Sequence, residues 1–327
     1  MIKSLLDLQP SSVSRDIRDY DLLLYGESGI GKSEYVLDLY GRDRCIALAF
    51  EDSYAGISGA YAVDVDSYST LTAYMAQLEN PEVRKRFDTV IIDTLYLLDH
   101  CIEKSICSSY GVELLGDALK YNKAYKIVDS KFLGIIKRIQ KMGYTIAYVA
   151  HPITKKTKIG GVEISKFEPK VSDRVKDLLL PEVDIQLFAY TDAEGNRKIA
   201  TQKSQYWNAR CRVAEMTPLL DFDPQLFREE FAKGVDKKQA NGGIIVEKKE
   251  VEVEEKRSYE EVMEYLTKEL AVKCGEVDKL PDANRIIVSA LGRDNEGNPR
   301  TLADTTPEML GALETIVVEL EILLGMR

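Results

Sequence analysis

The feature that most constrains this chain is a glycine-rich segment at residues 26–33, which reads Gly-Glu-Ser-Gly-Ile-Gly-Lys-Ser. It fits the pattern G-x-x-x-x-G-K-[ST] at every position, and we call it the phosphate loop. An apolar run precedes it at residues 21–25, and the pattern predicts a helix over 33–40. Glycines let the backbone curl so that its N–H groups converge on a phosphate, and the following helix adds its positive dipole end. The segment therefore predicts a loop that binds the phosphates of a nucleotide.

Each position of the phosphate loop has an expected role. We expect the nucleotide to contact Gly26, Glu27, Ser28, Gly29, Ile30, Gly31, Lys32 and Ser33. Lys32 is predicted to reach the β- and γ-phosphates and so to take part in catalysis, and Ser33 is predicted to ligate Mg²⁺. ATP and Mg²⁺ are the expected cofactors.

A second candidate metal ligand is Asp93, which ends the apolar run at residues 90–92. A carboxylate at the end of a buried strand can hold Mg²⁺ directly or through water, as the Walker B acid does. A turn residue is the alternative interpretation. Thr94 follows Asp93, so no glutamate occupies the next position and the catalytic base must come from elsewhere.

Two other strand ends supply candidates for the reacting centre. Glu51 follows the apolar run at residues 45–50, and we expect it to orient and deprotonate the attacking water, with Asp52 as a weaker rival. A surface carboxylate or helix cap is the alternative for Glu51. His151 ends another predicted strand, at 144–150, where it either senses the γ-phosphate or has a structural role.

Apolar strand patterns alternate with helical ones along the first two thirds of the chain, which predicts an α/β fold with a mainly parallel central sheet. A hairpin is predicted over residues 185–201. The predicted division is an ATPase domain at 1–234, a linker at 235–257, and a small helical C-terminal module at 258–327. An exposed strand inside the linker is the alternative for 235–257. Ser258 and Glu261 match a capping box at the start of that module.

Composition excludes several classes of protein. No run approaches the roughly 20 apolar residues that span a bilayer, so we expect no membrane association. The five cysteines form no C-x-x-C pair, which argues against a disulfide framework or a zinc site and favours a cytoplasmic location. The formal net charge of −10 requires that any nucleic acid be bound through a local basic surface.

Together, the phosphate loop, Glu51, residues 91–94 and His151 resemble the RecA-like branch of P-loop ATPases, over roughly residues 18–230. The nearer likeness is to phage-encoded RecA-like nucleotide-binding proteins, a group that includes minimal single-strand annealing ATPases. The resemblance implies a RecA-like P-loop fold, ATP rather than GTP, and assembly on DNA inside a bacterial host.

The resemblance also implies a homo-oligomer in which a basic residue reaches the nucleotide of the neighbouring subunit. Lys203, Arg210 and Arg212 are the candidates, with Arg174 as a further one. Of these, Lys203 is expected near the nucleotide and Arg212 in catalysis. Surface solubility is the alternative role for each of them.

A basic segment at residues 153–176 carries seven basic and three acidic side chains. We predict a mobile loop that tracks DNA phosphates without reading sequence, with Phe167 stacking on a base. A charged, solvent-exposed hairpin is the alternative.

The sequence thus predicts an ATPase that acts on single-stranded DNA in phage recombination, annealing or replication. Two alternatives remain open. One is an ATP-dependent switch or helicase loader that binds a replication protein, and the other is a P-loop kinase for a small molecule.

Overall fold

A computed structural model of the protein describes residues 10–119, 121–159, 162–240, 242–247, 258–293 and 297–326. In chain order the strands are β1 (Ser12–Ser14), β2 (Leu22–Gly26), β3 (Cys45–Ala49), β4 (Ala62–Asp64), β5 (Thr89–Asp93), β6 (Thr145–Ala150), β7 (Pro152–Ile159), β8 (Val162–Pro169), β9 (Ile185–Thr191), β10 (Arg197–Ala200), β11 (Arg210–Cys211), β12 (Leu219–Asp221) and β13 (Ile244–Val246).

The helices lie between and after these strands. They are α1 (Lys32–Tyr40), α2 (Tyr68–Leu78), α3 (Pro81–Arg86), α4 (Leu95–Tyr110), α5 (Leu115–Ala118), α6 (Lys123–Lys141), α7 (Asp173–Leu179), α8 (Pro224–Lys238), α9 (Tyr259–Glu264), α10 (Ala271–Glu276), α11 (Leu280–Leu291) and α12 (Leu310–Leu323). A π-helical turn (Tyr265–Leu270) joins α9 to α10, and single 3₁₀ turns occupy Ile17–Asp19, Arg42–Arg44, Leu302–Asp304 and Pro307–Met309.

The central sheet runs in the order β12-β10-β9-β2-β6-β5-β3-β4, and β11 also pairs with β9. Every neighbouring pair from β9 to β4 is parallel, whereas β10, β11 and β12 add antiparallel pairs at one edge. The predicted α/β fold with a mainly parallel sheet is confirmed. The predicted hairpin over 185–201 is β9 and β10.

Both faces of the sheet are buried, which explains why its central strands have continuous apolar sequences. Along β2, Leu22 and Leu24 belong to the core under α1 and α8, whereas Leu23 and Tyr25 belong to the core under α2, α4 and α6. All four side chains are fully buried.

The parallel strands bring the predicted site residues to one edge of the sheet. The phosphate loop starts in β2, Asp93 ends β5, and Glu51 and His151 follow β3 and β6. Ligands of open α/β sheets bind beyond the carboxyl ends of the strands, so this edge is where a nucleotide site is expected.

Most of the basic segment after His151 forms a β-hairpin, which was the alternative interpretation, and not the predicted mobile loop; its last residues belong to α7. β7 and β8 pair from Pro152 opposite Pro169 to Ile159 opposite Val162. Gly160 and Gly161, in the middle of the basic segment, lie outside the described residues.

The C-terminal helices pack around an apolar cluster of their own, which includes Leu266, Leu313 and Ile316. The predicted capping box is present, because Ser258 and Glu261 each accept a hydrogen bond from the other's backbone N–H. In this module, α12 lies against α2 and α6, and α11 lies against α4.

The predicted linker at 235–257 begins inside a helix, since α8 runs to Lys238. Further along, β13 pairs in parallel with β1, which attaches this segment to the ATPase domain. Residues 248–257 lie outside the described residues. The three-part division of the chain stays a prediction.

Candidate nucleotide and magnesium site

The phosphate loop has the backbone conformation that its glycines allow. Gly29 and Gly31 have φ of 76° and 97°, in the left-handed region that residues with a side chain rarely adopt. Gly31 is also the N-cap of α1 and leaves the first N–H groups of the helix without a side-chain cap. Gly26 lies against β9, where an added Cβ would be 2.2 Å from the carbonyl oxygen of Ala189. These features form an anion-binding cradle at a helix N-terminus.

Lys32 is folded back over this cradle. Its Nζ donates to the carbonyl oxygens of Gly26 and Glu27, at 3.0 and 2.8 Å. Burial lowers the pKa of Lys32, while the charges of Asp93 and Glu51 act in the opposite direction. The backbone carbonyls carry no net charge, so they stabilise this buried ammonium group less than an anion does. A phosphate in the cradle would supply that anion.

The other loop residues divide into inner and outer positions. Ile30 is buried in the core against α1, whereas Glu27 and Ser28 are exposed. The carboxylate of Glu27 accepts a hydrogen bond from Thr191 Oγ1 at 3.1 Å, which ties the loop to the end of β9.

The candidate metal ligands lie in contact. Ser33 Oγ donates to Asp93 Oδ2 at 2.5 Å, and Asp93 is fully buried. Burial raises the pKa of Asp93, and the hydrogen bond from Ser33 partly offsets that shift. The second oxygen, Asp93 Oδ1, is buried and has no hydrogen-bond partner within the described residues.

This donor set fits a magnesium ion. Mg²⁺ takes oxygen ligands and is usually held by one or two protein groups together with water and substrate phosphates. An orphaned carboxylate oxygen beside a serine hydroxyl offers such ligands, and a cation there would lower the pKa that burial raises. Asp93 and Ser33 are therefore the residues that would hold the metal.

Glu51 and His151 meet beside Asp93. The sheet order β6-β5-β3 places them on either side of the strand that Asp93 ends. His151 Nε2 lies 3.4 Å from a carboxylate oxygen of Glu51, and about a third of each side chain is exposed. The predicted base is thus beside the metal ligand, in contact with solvent, and oriented by a histidine.

Two residues at this edge had not been predicted. The Tyr54 hydroxyl is buried beside the Asp93 carboxylate and the Ser33 hydroxyl, without a hydrogen bond of regular geometry among the described residues. Burial, and next the charge of Asp93, raise the pKa of Tyr54. Arg197, at the start of β10, donates through Nη1 to the Ile30 carbonyl at 3.2 Å and lies over the Phe222 ring. Neither residue belongs to a motif, although the predicted β9–β10 hairpin did place Arg197 after a turn.

The candidate basic residues do not gather at this site. Arg212 is exposed and its backbone N–H donates to Asp184, which precedes β9 and lies at the opposite end of that strand from the phosphate loop. Lys203 is exposed in the segment after β10. Arg210 is bound to the carbonyl oxygens of Leu180 and Val183.

Arg174 has a structural role within its own chain. Its guanidinium pairs with Asp99, Glu103 and Asp129 on α4 and α6. The expectation that it reaches a neighbouring nucleotide is therefore corrected: these three carboxylates already neutralise and orient its charge.

Comparison with known proteins identifies the family. Residues 18–213 match the family model described as an AAA domain. No curated protein matches the chain. Across the described residues, no helix is both long and apolar enough to cross a membrane. The matched range spans the phosphate loop, Asp93, Glu51 and His151, and covers more than half of the chain, which therefore belongs to the AAA domain family of P-loop ATPases.

Proposed function

We propose that this protein is a RecA-like ATPase that hydrolyses ATP in contact with single-stranded DNA, in recombination, annealing or replication of a phage genome. The observation that carries the proposal is that the nucleotide site and the basic hairpin are adjacent at His151. This residue faces Glu51 at the nucleotide site, and the basic hairpin begins at the next position. The hairpin also ends there, because Lys170 N–H donates to the His151 carbonyl at 2.7 Å.

The hydrolytic half of the proposal rests on the groups beside Asp93. Glu51 orients a water and takes its proton as the water attacks the γ-phosphorus of ATP, the bond to the bridging oxygen breaks, and ADP and phosphate leave. Lys32 and the N–H groups of the loop hold the phosphates. Magnesium, when bound, neutralises charge on the phosphate oxygens.

The DNA half of the proposal rests on the hairpin. Lys156 pairs with Glu163, whereas Lys158 and Lys166 form no ion pair within the described part of the chain. Lys155 and Lys166 lie directly opposite each other. Glu168 and Asp173 compensate the charge of Lys155, at 3.7 and 3.4 Å, so Lys158 and Lys166 are the charges that an added anion would neutralise. Such a hairpin suits a polyanion whose sequence is not read.

The small-molecule kinase is the weaker alternative. A kinase lid needs arginines that can close over the phosphates, and Arg174 is already held in ion pairs with Asp99 and Asp129. An oligomer with a basic residue acting between subunits stays part of the proposal, and Lys203 and Arg212 are exposed as that role requires.

The test is steady-state release of phosphate from ATP, with and without oligo(dT), with Lys32→Ala as the control. We expect DNA to raise the rate several-fold, the stimulation to fall as salt is raised, and the control to release no phosphate. A rate indifferent to DNA, with a protein partner co-purifying, would favour the switch or loader. Phosphate transferred to an acceptor would favour the kinase.

A further inference from the structure

An unusual group of stacked aromatic rings lies at the antiparallel edge of the sheet. Phe188 on β9 is buried and stacks on Phe167 at a centroid distance of 5.3 Å and on Trp207 at 5.7 Å. Tyr190 stacks on Trp207 at 5.2 Å, and Tyr206 lies 6.2 Å from the same ring. We call Tyr190, Tyr206 and Trp207 the aromatic platform.

The platform is the outer layer of this stack. Tyr206 is 47% exposed, and Tyr190 and Trp207 are half-buried over the buried Phe188. The indole N–H of Trp207 already donates to the Gln202 carbonyl at 3.1 Å. The platform therefore offers ring surface to a ligand, with its indole N–H group already satisfied. Phe167, which the sequence suggested as a base-stacking residue, is instead packed beneath the platform.

The charge around the platform favours an anionic ligand. Residues 201–207, which carry Tyr206 and Trp207, contain Lys203 and no acidic residue, in a chain with a formal net charge of −10. The basic hairpin adjoins the platform, since Phe167 N–H donates to the Tyr206 carbonyl at 2.7 Å. Aromatic rings beside a basic track are the combination that binds single-stranded nucleic acid without sequence preference.

We propose that the aromatic platform stacks the bases of single-stranded DNA whose phosphates lie along the lysines of the β7–β8 hairpin. This inference rests on the proposed function and specifies which surface receives the DNA. Two partners could cover exposed aromatic rings: another protein or single-stranded DNA. A protein partner would bring apolar area and hydrogen-bonding groups. Single-stranded DNA matches this edge better, because its bases present ring faces and its phosphates match the lysines.

The platform is also connected to the phosphate loop. Tyr25, the last residue before Gly26, donates its hydroxyl to the Asn208 carbonyl at 2.7 Å and accepts from Asn208 N–H at 3.0 Å. Its ring lies 4.9 Å from Phe188 beneath the platform. Bases that immobilise the platform would thus immobilise the strand that leads into the loop, which gives DNA a physical route to the ATPase site.

The single tryptophan of the chain makes this testable directly, because Trp207 is the only source of indole fluorescence. Oligo(dT) and an abasic oligonucleotide of the same length would be titrated into the full-length protein. Binding would be followed both by tryptophan fluorescence and by the anisotropy of a dye on the DNA. We expect oligo(dT) to quench Trp207 and the abasic strand, which keeps the phosphates but has no bases, to bind more weakly without quenching.

The matched variants are Tyr206→Ala and Tyr61→Ala. Tyr61 is 40% exposed and lies beside β4, at the opposite edge of the sheet. Tyr206→Ala should weaken oligo(dT) binding by about 5- to 150-fold, the loss typical of one base–aromatic stack, and Tyr61→Ala should leave it unchanged.

The outcomes separate this inference from the function on which it rests. Oligo(dT) binding by anisotropy with Trp207 unquenched and Tyr206→Ala unaffected would overturn the platform and leave DNA binding in place. No anisotropy change with any oligonucleotide would overturn both.

Discussion

The proposed chemistry depends most on one residue, Glu51, and on its carboxylate. It lies beside Asp93, the residue that would hold the metal, and its own carboxylate is partly open to water. His151 lies on its other side at 3.4 Å and can hold it in one orientation. This is the geometry of a general base that accepts a proton from a water molecule.

We predict that Glu51→Gln lowers kcat for ATP hydrolysis by about 10²- to 10⁴-fold while ATP binding is retained, since glutamine keeps the size and hydrogen-bonding oxygen but cannot accept the proton. Phosphate release would measure the first effect, and displacement of a fluorescent ATP analogue the second.

Asp52→Asn is the matched control, because Asp52 is the adjacent carboxylate and is exposed. It should hydrolyse ATP at close to the rate of the unmodified protein. If Asp52→Asn is the slower variant, the base has been assigned to the wrong carboxylate.

The residues that could be predicted from sequence are those whose role is local. Lys32 and Ser33 lie in one contiguous motif, and Asp93 and Glu51 each end an apolar strand, so the chain itself carries their positions. Tyr54 and Arg197 were missed because their positions depend on how separate segments fold together. Arg174 was misjudged because its acidic partners lie far away along the chain.

At the scale of elements, the hairpin after β6 was also hard to predict, because its structure depends on contacts between separate segments. Its charges and central glycines were visible in the sequence and suggested a mobile loop. Strand pairing over residues 152–159 and 162–169 depends on cross-strand contacts and on Phe167 packing against Phe188, which local composition does not contain. The central strands were predictable because burial on both faces leaves a continuous apolar run.

The hydroxyl of Tyr25 at the end of β2 contacts two other segments, since it lies 2.7 Å from the Asn208 carbonyl and 3.3 Å from the Phe167 carbonyl on β8. Tyr25→Phe would leave the partly buried N–H group of Asn208 without this partner, while the Asn208 carbonyl would keep the hydrogen bond from Gln186 Nε2 at 3.3 Å. We predict a fall of about 1–3 kcal/mol in the free energy of unfolding, the usual cost of an unsatisfied buried polar group. Urea denaturation would measure it.

Tyr148→Phe is the matched control on the neighbouring strand β6. The Tyr148 hydroxyl is buried and has no hydrogen-bond partner within the described ranges. Its removal should leave the free energy of unfolding unchanged or raise it, because an unsatisfied polar group is lost. Equal destabilisation by the two changes would mean that the Asn208 contact contributes nothing specific.

For the whole molecule, the main question is how the C-terminal helices are attached to the ATPase domain. Glu319 on α12 forms a buried ion pair with Lys131 on α6, at 3.1 Å, and accepts a hydrogen bond from Tyr68 on α2 at 2.9 Å. The Lys131 ammonium also lies 4.4 Å from the centre of the Tyr68 ring. Lys131 and Glu319 therefore neutralise each other's charge when α12 is packed against α6.

Breaking this pair on one side should therefore cost more than removing both charges. Lys131→Met leaves the Glu319 carboxylate buried without its cation, and we predict a loss of about 3–5 kcal/mol in the free energy of unfolding. The double variant Lys131→Met/Glu319→Gln keeps an acceptor for Tyr68 and removes both charges, so it should recover most of that loss. Urea denaturation of both single variants and the double variant forms a double-mutant cycle. Losses that simply add would mean that the two side chains do not interact.

ATP hydrolysis at low temperature should be unchanged in the double variant, because the pair lies among α2, α6 and α12 and not at the edge of the sheet where Asp93 and Glu51 meet.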